Sequence, residues 1–308
     1  MVYVMMKRTI FAVITLCALV VTAFAGCGRT QEEIVESEPL PTEAPAEPTA
    51  IAVPDGGGGT MWIEPAENVD PFQLDTSQFS VDGDVITYSG EGFTLQRGID
   101  VSAYQDEIDW QAVAEEDLDF AIIRVGWRGY SGGSLNADDY YRQNIEGALS
   151  IGLQVGVYMF SQAVSAEEGA EEAEFVVELL ADYADDITLP VFFDWEDVGE
   201  PDARTADLDG DTLTAAAKAF ASVIEEAGYT PGLYSYLTLY YNSYDLDELS
   251  EMTLWAADPG MWPEFYYDHD FWQYSFEGTI AGIDKEVDLD VLFVRDEGYD
   301  VIREGAVG

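Results

Sequence analysis

From Gly98 onward the chain alternates short apolar runs with amphipathic stretches. Gly98-Ile99-Asp100-Val101-Ser102, Phe120 to Val125, Gln154 to Phe160, Leu189 to Trp195 and Gly232 to Leu237 read as strands. Their β-branched and aromatic residues crowd into runs too short for buried helices. Between them, Ile108 to Glu116, Asp138 to Ser150, Ala166 to Tyr183 and Thr212 to Ala227 read as helices, with Gly152 and Gly228 closing two of them. Repeated β-α units need a parallel sheet, because parallel neighbours are joined only by crossovers. Later the helices thin out. Met252 to Ala256, Phe271 to Ser275 and Val287 to Phe293 read as strands with short links. Eight strands with acids at their ends predict an α/β fold, an irregular TIM-like β/α barrel with helices missing after the last strands. A doubly wound open sheet is the alternative.

The segment Leu189-Pro190-Val191-Phe192-Phe193-Asp194-Trp195-Glu196-Asp197 carries the chemistry. Side chains alternate across a strand, so Phe192, Asp194 and Glu196 share one face and Val191, Phe193 and Trp195 the other. Two carboxylates at the end of a buried strand repel each other and lose hydration, which raises the pKa of at least one. A protonated acid beside an ionised one suits glycoside hydrolysis. The alternative is a strand that runs out into an acidic surface loop.

Other chemistry is in short supply. The chain of 308 residues has a formal net charge of −49, which repels nucleic acid and anionic lipid heads. At 48% hydrophobic and 13% aromatic it still buries a large core. A histidine-dependent triad would rest on His269 alone, without a G-x-S-x-G elbow, and His269 reads as a surface loop residue. The two cysteines, Cys17 and Cys27, supply no disulfide framework and no thiolate zinc site for the body. In Asp207-Leu208-Asp209-Gly210-Asp211 the glycine is misplaced for a calcium loop, and Lys218 stands where the bidentate glutamate belongs. That stretch reads as a cap for the next helix. No phosphate-cradling glycine loop is present. No metal and no cofactor is expected. Carboxylates and aromatics remain.

Lys7 and Arg8 precede an apolar run, Ile10 to Ala25, too short for a comfortable membrane span. Residues 1–27 read as a secretory signal peptide ending in Ala25-Gly26-Cys27, similar to a bacterial lipobox. Cys27 would be lipidated, making the protein a cell-surface lipoprotein. Ala23-Phe24-Ala25 also satisfies ordinary A-x-A cleavage, which would leave it secreted. Residues 28–60, rich in Glu, Pro, Thr and Gly, read as a disordered tether. Residues 61–96 read as a short extension packed on the main domain. Within it Val85-Ile86-Thr87-Tyr88 and Phe93-Thr94-Leu95-Gln96 flank a glycine-containing turn and predict a hairpin. The catalytic barrel spans 97–297, and 298–308 is a tail.

These pieces resemble glycoside hydrolase family 25, the bacterial and phage lysozymes. The matching segments are Gly98-Ile99-Asp100-Val101-Ser102 with Gln105 and Ile108-Asp109-Trp110; Phe120-Ala121-Ile122-Ile123-Arg124; Val155-Gly156-Val157-Tyr158-Met159-Phe160; Pro190 to Glu196; Phe271-Trp272-Gln273-Tyr274-Ser275; and Val287-Asp288-Leu289-Asp290. They stand in family order between Gln96 and Arg295. The resemblance implies an irregular β/α barrel that cleaves the β-1,4 bond between N-acetylmuramic acid and N-acetylglucosamine. It implies Glu196 as general acid and Asp194 as its partner carboxylate. Asp100 and Asp288 match the two other active-site acids, on the first and last strands. Three positions depart from the pattern. Asp106 replaces a glycine, Asp284-Lys285 occupies another, and Asp290 replaces an asparagine. None removes a catalytic carboxyl, but they bear on substrate fine specificity.

Tyr158, Tyr234, Trp255 and Trp272 are candidate sugar platforms, with burial in the core as the alternative for each. Arg124, on an otherwise apolar strand, needs a carboxylate partner and reads as structural. The resemblance favours a retaining, substrate-assisted route, whereas Asp100 or Asp288 acting as base on water would invert. The expected partner is the peptidoglycan glycan strand, met as a monomer, with membrane contact only through the lipid anchor. Two competitors remain: a non-catalytic glycan-binding lipoprotein of the same fold, and a transporter's solute-binding lipoprotein.

Overall fold

A computed structural model of the protein describes residues 50–295. The signal peptide, Cys27, most of the expected tether and the tail lie outside the described residues.

The first described strands, β1 (Ile51–Pro54) and β2 (Thr60–Ile63), pair antiparallel. The tether expected over 28–60 is therefore corrected at its end. Asp55 accepts the Gly57 and Gly59 N–H groups at 2.9 and 2.7 Å, turning the glycine run into a hairpin loop. Next come β3 (Phe79–Asp82) and β4 (Val85–Tyr88), also antiparallel. This corrects the hairpin expected between Val85–Tyr88 and Phe93–Gln96. The two-residue turn is Gly83-Asp84, with Gly83 at φ 61°, and Gly-Asp between two strands is a hairpin signal. Phe93–Gln96 instead begins the first barrel strand.

The barrel follows as β5 (Phe93–Val101), α1 (Trp110–Val113), β6 (Phe120–Arg128), β7 (Leu135–Ala137), α2 (Tyr141–Ser150), β8 (Gln154–Ser161) and α3 (Ala166–Leu179). It continues through β9 (Ile187–Trp195), α4 (Gly210–Glu226), β10 (Pro231–Tyr236), α5 (Leu237–Ser243), β11 (Thr253–Ala257), β12 (Phe271–Gly278) and β13 (Val287–Arg295). The strand order β5-β13-β12-β11-β10-β9-β8-β6, with β5 also paired to β6, closes eight strands into a barrel. The open-sheet alternative is excluded. Pairs from β5 through β6 to β12 are parallel, while β13 runs antiparallel to both its neighbours. The expected calcium-like loop is a cap: Asp209 Oδ1 accepts the Thr212 N–H at 2.9 Å at the start of α4.

Two cores follow from strand alternation. Phe120, Ile122, Phe192, Trp255, Phe271 and Leu292 fill the barrel interior. Val191, Phe193, Leu233, Trp272 and Phe293 belong to the larger core outside it. The interior is tight because glycines face its large rings. A Cβ on Gly98 would strike the Phe120 ring, and one on Gly232 the Phe192 ring.

No helix is described between β11 and β12 or between β12 and β13, so those strands need another cover. The N-terminal extension supplies it. Phe72 N–H donates to the Tyr266 carbonyl at 2.8 Å, and its ring lies 4.4 Å from His269 and 5.1 Å from Phe293. Phe79 meets Trp272 edge-on at 5.9 Å, and Tyr274 Oη donates to the Asp84 carbonyl at 2.7 Å.

That cover corrects the reading of His269, which is buried and not a surface loop residue. Phe72, Phe265 and Phe293 enclose its ring, and Nδ1 lies 2.9 Å from the Tyr267 carbonyl. Burial lowers its pKa to about 4 from an ordinary 6.5. The unfolded chain binds a proton below pH 6.5 that the folded chain refuses until pH 4, so stability falls with pH across that window. His269→Phe removes this penalty. Urea melts should show the variant gaining on wild type as pH drops from 6.5 to 4, by roughly 3 kcal/mol at the limit. A pH-independent difference would contradict the assignment.

Candidate active site

The inner residues near the C-terminal ends of the parallel strands are polar. Asp100 lies on β5, Arg124 on β6, Tyr158 on β8, Asp194 on β9, Tyr234 on β10 and Gln273 on β12. Because β13 runs the other way, Asp288 comes at its beginning and pairs in register with Asp100. Glu196 lies one residue beyond β9, half-buried at the rim. All four predicted acids thus face one mouth.

Asp290 joins them. It lies two residues after Asp288 on the same strand and is fully buried. Trp255 Nε1 donates to its Oδ1 at 2.9 Å, and its carboxyl shares a hydrogen bond with Asp100. Asp100 Oδ2 also accepts Gln273 Nε2 at 2.6 Å, and Gln273 Oε1 accepts Tyr234 Oη at 2.8 Å.

Burial, then mutual repulsion, sets the protonation of this cluster. Burial and the charge of Asp290 push Asp100 well above the usual carboxylate range. Burial and Asp288 do the same to Asp290. Asp288 is raised to about 9 by burial and by Asp100 and Glu196. Glu196 is raised to about 7 by burial. Asp194 is raised by burial, Glu196 and Asp100, and lowered by Arg124. Asp194 and Glu196 therefore keep at least one proton between them near neutral pH. The Arg124 charge works toward leaving that proton on Glu196, against the deeper burial of Asp194.

Arg124 does need a carboxylate, but its partner is not a mouth acid. It is Asp138, at 2.8 Å from Nη2 and 2.9 Å from Nε. Asp138 also accepts the Ala103 N–H at 3.0 Å, tying the loop after β5 to the start of α2.

The aromatic candidates divide. Tyr158 and Tyr234 line the mouth, Tyr158 partly exposed and Tyr234 buried. Trp255 sits beneath the acids at 1% exposure, ringed by Tyr158, Phe192 and Tyr234, so its face meets protein and not solvent. Trp272 is corrected outright. It points out of the barrel into the outer core at 0% exposure and donates Nε1 to the Asp258 carbonyl at 2.7 Å. In Phe271-Trp272-Gln273-Tyr274 both alternating pairs contain an aromatic, and the inward pair is Phe271 and Gln273.

The departures Asp106 and Lys285 pair with each other at 2.7 Å. Asp106 has φ 58°, the left-handed region that favours glycine. Lys285 lies 4.9 Å over the Tyr104 ring.

A group with a raised acid pKa stabilises the fold below its unfolded value and loses that contribution as pH rises through its folded one. For Glu196 the window runs from 4.5 to about 7. Glu196→Gln should therefore melt progressively higher than wild type as pH rises across this window, with a plateau above it. A variant no more stable than wild type at pH 8 would show that the carboxyl is not strained.

The sequence pattern of Glycosyl hydrolases family 25 matches residues 99–283, which contain Asp100, Asp194 and Glu196. The chain is 24% identical over 195 residues to the autolytic lysozyme of Clostridium acetobutylicum, an alignment covering 63% of this chain and 55% of that protein. It therefore spans little more than half of that relative's length. Among solved structures, the family 25 glycosyl hydrolase of Bacillus anthracis superposes with a TM-score of 0.55 at 23% identity, over 66% of this chain and 90% of that one. The modular autolysin LytC of Streptococcus pneumoniae gives 0.54 at 23%, over 72% of this chain and 57% of that one. These two share its fold. With a pattern match across more than half its length and the expected acids gathered in a closed barrel, the chain belongs to glycosyl hydrolases family 25.

Proposed function

We propose that the protein is a peptidoglycan muramidase that hydrolyses the β-1,4 bond between N-acetylmuramic acid and N-acetylglucosamine, with retention. The observation that carries this is Glu196, a rim carboxyl held protonated to about pH 7 beside Asp194 and Arg124. A general acid needs a pKa near its working pH. The named activity of the clostridial relative, a lysozyme, agrees with it.

In this mechanism Glu196 gives its proton to the glycosidic oxygen as the C1–O bond breaks. The carbonyl oxygen of the substrate's own 2-acetamido group attacks C1 from the opposite face and forms an oxazolinium ion. Asp194 accepts the acetamido N–H and offsets the positive charge. Its buried Oδ1 has no partner among the described residues. Glu196, now a carboxylate, takes a proton from a water that attacks C1 on the side the leaving group left. The ring opens, the acetamido group is restored, and two inversions give net retention. An inverting route needs Asp100 or Asp288 as a carboxylate base. Asp288 is raised to about 9, and burial and Asp290 push Asp100 well above the usual carboxylate range, which weighs against it.

Glu196→Gln keeps the shape and removes the proton, so clearing of purified cell walls should fall by roughly 10²–10⁴ while glycan binding survives. Proton NMR on wild type should show the β-anomer of the new reducing end first. Near-normal lysis by the variant would sink the acid assignment, and an initial α-anomer would sink retention.

The protein is further proposed to act at the cell surface, tethered through lipidated Cys27. Cys27→Ser should move it from the membrane fraction to the medium. Wild type already released with Gly26 or a later residue at its N-terminus would refute the anchor.

A further inference from the structure

Glu196 has no place in the barrel's hydrogen-bonded ladder. The last pairs on β9 are Ser161 with Trp195 on one side and Tyr234 with Asp194 on the other. An acid that must meet a glycosidic oxygen within a few tenths of an ångström therefore depends on whatever holds the chain just past the strand. Gln162, the first residue after β8, holds it. Its Nε2 donates to the Glu196 main-chain carbonyl at 2.8 Å and to the Ser161 carbonyl at 2.8 Å. Its Oε1 accepts Thr205 Oγ1 at 2.8 Å. Its own carbonyl accepts Arg204 Nη1 at 3.1 Å, and its N–H donates to the Glu172 carboxylate.

Every polar group of Gln162 is thus engaged, at 0% exposure. The partners are themselves held. Arg204 grips Glu168 at 2.8 and 2.5 Å, and its N–H donates to the Tyr130 carbonyl at 2.9 Å. Glu172, equally buried, accepts Arg128 Nε at 2.6 Å. The knot joins the end of β6, the start of α3 and the loop after β9, and the acid's backbone is one of its contacts.

We propose that Gln162 is a positioning residue for Glu196: its buried carboxamide grips the acid's main-chain carbonyl and sets where the carboxyl points. This rests on Glu196 being the general acid. The choice of atom matters. A donor aimed at the Glu196 carboxyl would favour its ionised form and strip it of the proton it must deliver. A donor aimed at the carbonyl fixes the residue and leaves the proton in place. Thr205 completes the device, because its hydroxyl holds the carboxamide in the orientation that turns Nε2 toward Glu196.

The test uses the full chain, with kcat and KM on a soluble peptidoglycan glycan and urea melts for each variant. Gln162→Leu should lower kcat by about 10²-fold, the cost of a displaced catalytic group, at unchanged KM. Thr205→Val should lower kcat by a smaller factor, and Thr205→Ser, which keeps the hydroxyl, should recover it. In the impaired variants the alkaline limb of the kcat profile should move below pH 7, as water reaches a loosened Glu196. Should Gln162→Leu fail to fold, the Thr205 pair decides. Wild-type kcat and an unmoved limb in Thr205→Val, or losses that merely track the unfolded fraction, would overturn the proposal. Glu196→Gln separates the two readings. An inactive Glu196→Gln beside a normal Gln162→Leu removes this inference alone, and an active Glu196→Gln removes the acid with it.

Discussion

Five carboxyl groups share one barrel mouth, and they cannot all be charged. Asp100, Asp194, Glu196, Asp288 and Asp290 have each lost hydration, and most repel a neighbour as well. Taking a carboxylate out of water costs several kcal/mol unless a partner compensates. One cation, Arg124, faces this cluster among the described residues, and Asp138 already claims most of its bonding. The cluster therefore keeps protons to unusually high pH. A protonated acid at the mouth follows from that constraint directly, and so does its stability cost. The same burial that holds the proton on Glu196 works against the fold wherever that proton is lost.

Concentrating strain at the mouth requires firm walls, and the barrel builds them in two ways. Along β5 to β10, helices α1 to α5 pack outside the strands, and Gly169 lets α3 come against the Ala216 backbone where any side chain would collide. Around β11, β12 and β13 the cover is the N-terminal extension, with Phe72 and Phe79 seated among Phe93, His269, Trp272 and Phe293. The family pattern begins at residue 99, so this cover lies outside it. The extension does for the late strands what crossover helices do for the early ones. That accounts for Trp272 buried on the outer face of β12 and His269 buried just before it, where a regular barrel would place helices.

Much of this was legible in the sequence, for physical reasons that differ by element. Strand and helix alternation marked the eight barrel strands, because period and length separate the two kinds of run. Alternation also put Phe192, Asp194 and Glu196 on one face correctly, since every residue on the other face of that strand is apolar. The same rule failed at Phe271-Trp272-Gln273-Tyr274, where both faces carry an aromatic and only neighbouring strands decide. It was available but unused for Asp290, which shares the inner face with Asp288 by spacing alone. The Gly83-Asp84 turn competes in the sequence with the glycines at 90 and 92, and pairing of Phe79–Asp82 with Val85–Tyr88 decides between them. The short helix α5 was absorbed into a strand and its link. The partners of Arg124 and Gln162 were out of reach, because the β6–β7 hairpin brings Asp138 to Arg124 and the loop after β9 brings Thr205 to Gln162, and no periodicity marks either contact.

Two buried glutamines show how finely the mouth is graded. Gln273 gives its Nε2 to the Asp100 carboxyl, and that bond pulls the acid back toward ionisation against burial and Asp290. Gln162 gives its Nε2 to the Glu196 carbonyl, and no hydrogen bond among the described residues offsets the burial of the carboxyl. The side chains are identical in chemistry and nearly identical in burial. What differs is the atom each one meets. On β12 the alternation of the strand aims the carboxamide inward, at side chains. After β8 the chain has left the ladder, and the carboxamide reaches across to the next strand's backbone. A hydrogen bond to a carboxyl tunes its charge, and one to a carbonyl tunes only its place. Asp100, bonded to Asp290 and Gln273, is held as part of a fixed hydrogen-bonding wall. Glu196, held from behind, keeps both a defined position and a proton free to leave.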